Sequence, residues 1–248
     1  MRWRVIPLQT NNAYMNMALD EAICQFVASG ESQPTIRFYT WTPSAVSIGY
    51  FQSLNDEVDV NVAKQLGVDI VRRRTGGGAV YHDTKGEITY SVIAPESMMP
   101  KGIRESYQLI CGWIIESLKK IGIESEFKPI NDIITNGKKI SGNAQTRRNG
   151  VLLQHGTLLY DLDVRTMFTL LKVPKEKISD KMIQSVEERV TKVLNFGNFS
   201  MQDVYNAMLE GFTKDKEYSI GSLSSEELEL SKKLSKERYK AEEWNYRR

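Results

Sequence analysis

The chain has 248 residues, 41% hydrophobic and 26% charged, enough for one large α/β domain or two small ones around a real core. Thirty-three Lys and Arg against 31 Asp and Glu leave a formal charge of +2, which argues against a nucleic-acid binder relying on a broad basic surface. The longest aliphatic run, Leu109 to Ile115, is too short to cross a bilayer, and Met1-Arg2-Trp3-Arg4 lacks the apolar stretch of a signal peptide.

Helical periodicity begins at Asn12–Ser29, where Ala18, Leu19, Ala22, Ile23, Phe26 and Val27 form one stripe that Gly30 stops. Strand-like runs follow at Thr35–Trp41 and Ala45–Ile48, then a short helix near Asp59–Leu66 ended by Gly67. Val68–Arg72 and Glu87–Ala94 read as strands. Arg104–Ile121 reads as a helix carrying Tyr107, Ile110, Cys111, Ile114 and Leu118 on one side. Lys138–Ser141 and Val151–Tyr160 are further strand-like runs. Ser200 opens another helix, with Met201, Val204, Tyr205, Met208 and Phe212 on one face, and Ser224 with Glu227 forms a capping box. The last stretch, Ser231–Arg248, is heavily charged. Strands in the middle with helices around them predict one α/β domain built on a mixed sheet over residues 1–248, rather than a regular βαβ series.

Cys24 and Cys111 are far apart and each falls inside a helical pattern, so a disulfide framework is not expected. Two histidines and no cysteine pair also argue against structural zinc. A cytoplasmic protein with no membrane or nucleic-acid partner is the expectation.

Three runs carry chemistry. In Arg72-Arg73-Arg74-Thr75-Gly76-Gly77-Gly78-Ala79-Val80-Tyr81-His82-Asp83, three glycines let amide groups approach an anion without a Cβ in the way. The arginines before them are partners for phosphate or carboxylate. A glycine-rich hairpin beside a solvated basic patch is the plainer reading. The run fits neither G-x-x-x-x-G-K-[ST] nor G-x-G-x-x-G, since position 81 is tyrosine. The second run starts at Asn131-Asp132 and continues through the Asn136-Gly137 turn to Lys138-Lys139-Ile140-Ser141-Gly142-Asn143-Ala144. A lysine after such a turn is either solvated or a cation held rigidly for phosphate or a developing oxyanion. Small neighbours suit a ligand lying close to the backbone. The third run is Gln154-His155-Gly156-Thr157-Leu158-Leu159-Tyr160, where His155, like His82, reads as either a hydrogen-bonded core residue or a functional one.

These runs, in this order, resemble the lipoate–protein ligase A family within the biotin/lipoate ligase and octanoyltransferase superfamily. Arg72-Arg73 with Gly76 to Asp83 resembles R-R-x-x-G-G-G-A-V-[FY]-H-D, Lys139 to Ala144 resembles K-[IV]-S-G-[NS]-A, and His155-Gly156-Thr157 resembles H-G-T. Asn16 to Glu21, Asn131-Asp132, Ser185-Val186 and Arg189-Val190 extend the likeness. The resemblance implies a mixed sheet flanked by helices, related to class II aminoacyl-tRNA synthetases. It implies ATP with Mg2+ and lipoate as substrates, giving lipoyl-AMP and then a lipoylated lysine. By the same resemblance Lys139 is the catalytic cation. Arg72, Arg73, Gly77, Gly78, Ala79, Val80, Tyr81, Asn131, Asp132 and Ala144 surround the adenylate, with Arg73 and Arg72 facing the phosphates. His82, Gly142, His155, Gly156 and Thr157, followed by Leu158, would border lipoate, and Asp132 would approach the metal. The implied acceptors are lipoyl domains of 2-oxoacid dehydrogenase E2 subunits and the glycine-cleavage H protein.

An octanoyl or lipoyl transferase, cysteine-dependent or not, is the nearest alternative. A thiol route needs a reactive cysteine near the lysine, yet Cys24 and Cys111 sit on apolar helix faces and no cysteine follows His155. Biotin ligation and a non-catalytic anion-binding scaffold are more remote. Glu243-Trp244-Asn245 resembles a segment after which many family ligases continue into a small accessory domain, and this chain stops three residues later. The expectation is a catalytic domain whose accessory domain, if required, is a separate small protein.

Overall fold

The computed structural model describes residues 2–172 and 188–248. Its frame is an eight-stranded mixed sheet. The strands are β1 (Trp3–Asn11), β2 (Thr35–Trp41), β6 (Glu87–Pro95), β7 (Glu126–Lys128), β8 (Asp132–Thr135), β9 (Lys138–Arg148), β10 (Val151–Leu159) and β11 (Tyr218–Ile220), in the order β11-β1-β2-β6-β10-β9-β8-β7. β1 runs parallel to both neighbours, and the remaining pairings are antiparallel. A second sheet places β3 (Ala45–Ile48) between β4 (Asp69–Arg72), parallel to it, and β5 (Val80–His82), antiparallel.

Alternation along the central strands makes the two faces of the large sheet chemically different. Ile36 and Phe38 of β2, with Ile88, Tyr90 and Val92 of β6, join the main hydrophobic core. Helices α4 (Ile103–Lys120) and α6 (Met201–Thr213) cover that face through Ile110, Ile114, Val204, Met208 and Phe212. The intervening residues Arg37, Tyr39, Glu87, Thr89 and Ser91 are also buried, but mostly polar, and Arg37, Tyr39 and Ser91 bond to Asp20 of α1 (Ala13–Ser29). A polar face excluded from water is costly unless its groups are answered, and here Asp20 answers three of them. Helices α2 (Leu54–Glu57), α3 (Val60–Gln65) and α5 (Val164–Leu170) pack with the small sheet around Val46, Ile48, Leu54, Ala63 and Leu170. Helix α7 (Ser225–Leu234), with Glu227 in its capping box, lies against α1, and the short α8 (Glu242–Asn245) follows.

Thr35–Trp41 and Ala45–Ile48 form strands as their residues predict, and Asn12 caps α1 through a bond from the Met15 amide. Lys138–Ser141 is only the start of a strand that runs to Arg148. β1 is not marked by periodicity, because Pro7 interrupts its ladder and the register against β2 shifts between Ile6 and Gln9.

Candidate active site

A cleft of about 310 Å³ lies between the two sheets. One wall is the loop from Gly77 to Ala79 with β5, and a second is the β9–β10 pair with Lys139, Gly142, Ala144, His155, Gly156 and Thr157. The third wall is apolar, formed by Met17 of α1, Tyr39 and Trp41 of β2, Leu162, Met167 and Val190.

Arg73 organises the glycine loop. Its Nη2 donates to the carbonyls of Gly76 and Gly78, both at 2.7 Å. Nη1 donates to the Ser47 carbonyl at 3.1 Å and to Ser47 Oγ at 3.2 Å, and Nε donates to Thr75 Oγ1 at 3.1 Å. With those carbonyls turned to the guanidinium, the amides of Gly77, Gly78 and Ala79 donate to no acceptor among the described residues. Gly77 takes φ +94°, a left-handed conformation that a side chain would oppose. Free amides along a turn of this kind make an anion nest. Burial pushes the Arg73 guanidinium down to about 10, still cationic at neutral pH.

Arg72 departs from its expected place beside the phosphates. It is fully buried and does not border the cleft. Its guanidinium donates to the carbonyls of Gly49, Tyr50, Gln52, Trp244 and Asn245, tying the chain's last helix to the small sheet. Adjacent strand residues point to opposite faces, so two neighbouring arginines have different tasks. Arg73 borders the cleft, but its guanidinium is engaged by Ser47, Thr75 and the carbonyls of Gly76 and Gly78.

Lys139 reaches the cleft from β9. Its Nζ lies 2.7 Å from Asp132 Oδ1, and a Cβ on Gly142 would come within 2.8 Å of its Cε and Nζ, so glycine there leaves the lysine its path. The Lys139 backbone bonds to Arg189 and Thr191, which brings Val190 to the cleft. Asp132 is behind Lys139 rather than on the cleft wall, and no group of three metal-ligating side chains occurs among the described residues. Asn131 borders the cleft and exchanges bonds with Asn143, which also accepts from Tyr90 at 2.6 Å.

Both histidines border the cleft, and both have both ring nitrogens engaged. His82 meets Ser47 and Glu87, and His155 meets Thr75 and Asp20. The His155 ring is held below its ordinary value, because burial outweighs the Asp20 carboxylate. Trp41 stacks on His82 with centroids 3.9 Å apart. Leu158 packs in the main core, on the other side of β10, and Leu159 borders the cleft instead. Neither cysteine borders it. Burial pushes the Cys111 thiol up to about 12, and raises that of Cys24 further. Ser185 and Val186 lie outside the described residues. The apolar wall and Ser47 carry no sequence motif; their one signal is the run of aromatic and polar residues through strands that are buried on both faces.

The sequence profile of the lipoyl protein ligase A/B catalytic domain matches residues 12–213. Octanoyltransferase LipM of Staphylococcus epidermidis is 36% identical, with 99% of each chain covered, and LipM of Brevibacillus brevis is 36% identical, over 100% of this chain and 99% of its own. Among solved structures, a bi-partite lipoate protein ligase of Thermoplasma acidophilum superposes with TM-score 0.88 at 32% identity, covering 99% of this chain and 96% of that one. A lipoate-protein ligase A bound with ATP gives TM-score 0.86 at 31% identity over 99% of both. With its glycine loop, its cleft lysine and its mixed sheet all in that company, the chain belongs to the lipoyl protein ligase A/B catalytic-domain family.

Proposed function

We propose that this chain activates lipoate with ATP and passes the lipoyl group to a lysine of a lipoyl carrier domain. One observation carries the reading: the cleft joins an anion nest, backed by Arg73, and the Lys139 ammonium to an apolar wall, and neither cysteine borders it.

The lipoate carboxylate attacks the α-phosphorus of ATP, the bond to the β-phosphate oxygen breaks, and pyrophosphate leaves. The amides of Gly77, Gly78 and Ala79 face the phosphates, and Lys139 offsets the repulsion between the two anions. To do so its ammonium exchanges Asp132 for ligand oxygen. The carrier ε-amine then attacks the acyl carbon, and AMP leaves with the electrons of the acyl–phosphate bond. Met17, Tyr39, Trp41, Leu159 and Met167 would enclose the aliphatic tail. Mg2+ arriving with the nucleotide would neutralise phosphate charge, but Asp132 stands behind Lys139 and off the cleft wall, and no described carboxylate lines the cleft to hold it. Lipoyl domains of E2 subunits and the glycine-cleavage H protein are the acceptors in view. The likeness to a bi-partite ligase makes a separate small protein a proposed helper in the activation step.

The names of the curated relatives favour a second reading, octanoyl transfer from an already activated donor. Because neither Cys24 nor Cys111 borders the cleft, direct attack by the carrier lysine rather than an acyl-cysteine is the route in that case. Incubation with lipoate, ATP and hydroxylamine separates the two. ATP-dependent lipoyl-hydroxamate, with or without an added small-domain protein, supports activation. Its absence under both conditions, together with ATP-free octanoylation of a carrier from octanoyl donor, would establish the transferase instead.

A further inference from the structure

Two chains of hydroxyl, imidazole and carboxylate meet at Arg73. In one, Thr75 Oγ1 lies 2.7 Å from His155 Nε2, and His155 Nδ1 lies 3.1 Å from Asp20 Oδ2. In the other, Ser47 Oγ lies 2.8 Å from His82 Nε2, and His82 Nδ1 lies 2.7 Å from Glu87 Oε1. All six side chains are buried. They come from separate elements and share only Arg73.

Hydrogen-bond chemistry fixes the direction of both chains. A guanidinium only donates, so Thr75 Oγ1 and Ser47 Oγ each accept from Arg73. Each hydroxyl then has its single proton to give, and the imidazole Nε2 beside it is the acceptor in reach. That leaves the ring proton on Nδ1, where it donates to the carboxylate. The Arg73 guanidinium, buried without an ion pair among the described residues, is thus linked to Glu87 and Asp20 only through these polarised hydrogen-bond chains, and Asp20 is itself paired with Arg37.

We propose that these are twin positioning relays: Ser47–His82–Glu87 and Thr75–His155–Asp20 orient Arg73, which in turn draws back the carbonyls of Gly76 and Gly78 and presents the loop amides to an anion. Both histidines are neutral with the proton on Nδ1, and neither acts as acid, base or ligand of the acyl carboxylate. The functional part of this rests on the reading of the loop as an anion cradle; the tautomers do not. Ser47–His82–Glu87 has the connectivity of a serine nucleophile. Its Oγ, however, is held by Arg73, and the same arrangement recurs at Thr75, which does not border the cleft. A duplicated arrangement around one guanidinium is what orienting that group requires.

The chain contains two histidines, so nitrogen NMR of the full protein labelled with 15N-histidine reads each ring separately. Two neutral rings with protonated Nδ1 and bare Nε2 are expected at neutral pH. An Nε2–H tautomer or an imidazolium at either position overturns the relay. Thr75→Val removes one hydroxyl at nearly constant shape, and Thr75→Ser restores it. Calorimetry with pyrophosphate is expected to show about tenfold weaker binding in Thr75→Val, recovered in Thr75→Ser. Wild-type affinity in a folded Thr75→Val protein overturns the positioning role, as does covalent labelling of Ser47 by a fluorophosphonate. If wild-type protein fails to bind pyrophosphate, the anion-cradle reading fails, and the NMR result still decides the relay.

Discussion

Gly49 illustrates how closely the glycine loop is seated. It follows β3, its amide donates to Gln52 Oε1 at 2.8 Å, and its carbonyl accepts from Arg72. A Cβ at this position would overlap the carbonyl oxygen of Gly77 and lie 3.0 Å from its carbonyl carbon and 3.3 Å from that of Gly76. All of these are backbone atoms, so no side chain can swing aside. Carbon atoms settle at about 3.5–4.0 Å, so Gly49→Ala must displace the loop by on the order of 1 Å. Overpacking of this kind costs about 1–3 kcal/mol, which for a chain of this size lowers Tm by about 2–4 °C per kcal/mol. The effect on chemistry should be larger, since a shift of about 1 Å in a positioning element costs about 100-fold in rate. Single-turnover acyl transfer to a carrier domain, beside a thermal melt, measures both. A Gly49→Ala protein that kept wild-type turnover and pyrophosphate affinity would refute the claim that the loop is held in place by contact with Gly49.

Lys139→Ala should cut acyl transfer by about 10²–10³-fold in single-turnover assays. Its stability cost should stay within about 0–1 kcal/mol in a denaturant melt, because the ion pair with Asp132 is partly exposed at 39% and 32%. Cys24→Ser with Cys111→Ser should retain carrier modification in a mass shift assay; loss of activity in a folded double variant, with a thioester trapped on the wild type, would restore the thiol route. Arg72→Lys should lower stability by about 1–3 kcal/mol, since a lysine cannot reproduce the fork that binds five carbonyls, while folded protein keeps its affinity for pyrophosphate. Acid should destabilise the fold in two stages. The His155 ring is held below its ordinary 6.5, so the unfolded chain takes up that proton first and stability is lost as pH falls below 6.5. Burial alone would raise the Asp20 carboxyl, but Arg37, His155 and Ser91 outweigh it and hold it below 3.8; its contribution is present above 3.8 and lost as pH falls further. A Tm that stays flat between pH 7 and pH 4.5, a window about the ordinary histidine value, would remove His155 from this account.

Local chemistry written into consecutive residues was legible from the sequence alone. Asn12 and Gly30 bound α1, the Ser224–Glu227 box starts α7, and alternation marks Thr35–Trp41, because capping and pleating depend on near neighbours. The glycine triplet and the Lys139 segment stood out as candidate anion-binding runs for the same reason, and both line the cleft. Identical residue types in one run nevertheless received opposite tasks: Arg72 ties down the chain's last helix, and Arg73 shapes the loop. Nothing within that run distinguishes them, since their partners are 20 to 173 positions away for one and mostly local for the other. The apolar wall of the cleft, the placement of both cysteines away from it, and the pairing of each histidine with a hydroxyl and a carboxylate likewise depend on which strands are neighbours. The motifs therefore supplied the candidate residues, while sheet pairing decided which side chains border the cleft and which stand behind it, because only folding brings Asp20, Thr75 and His155 within hydrogen-bond reach.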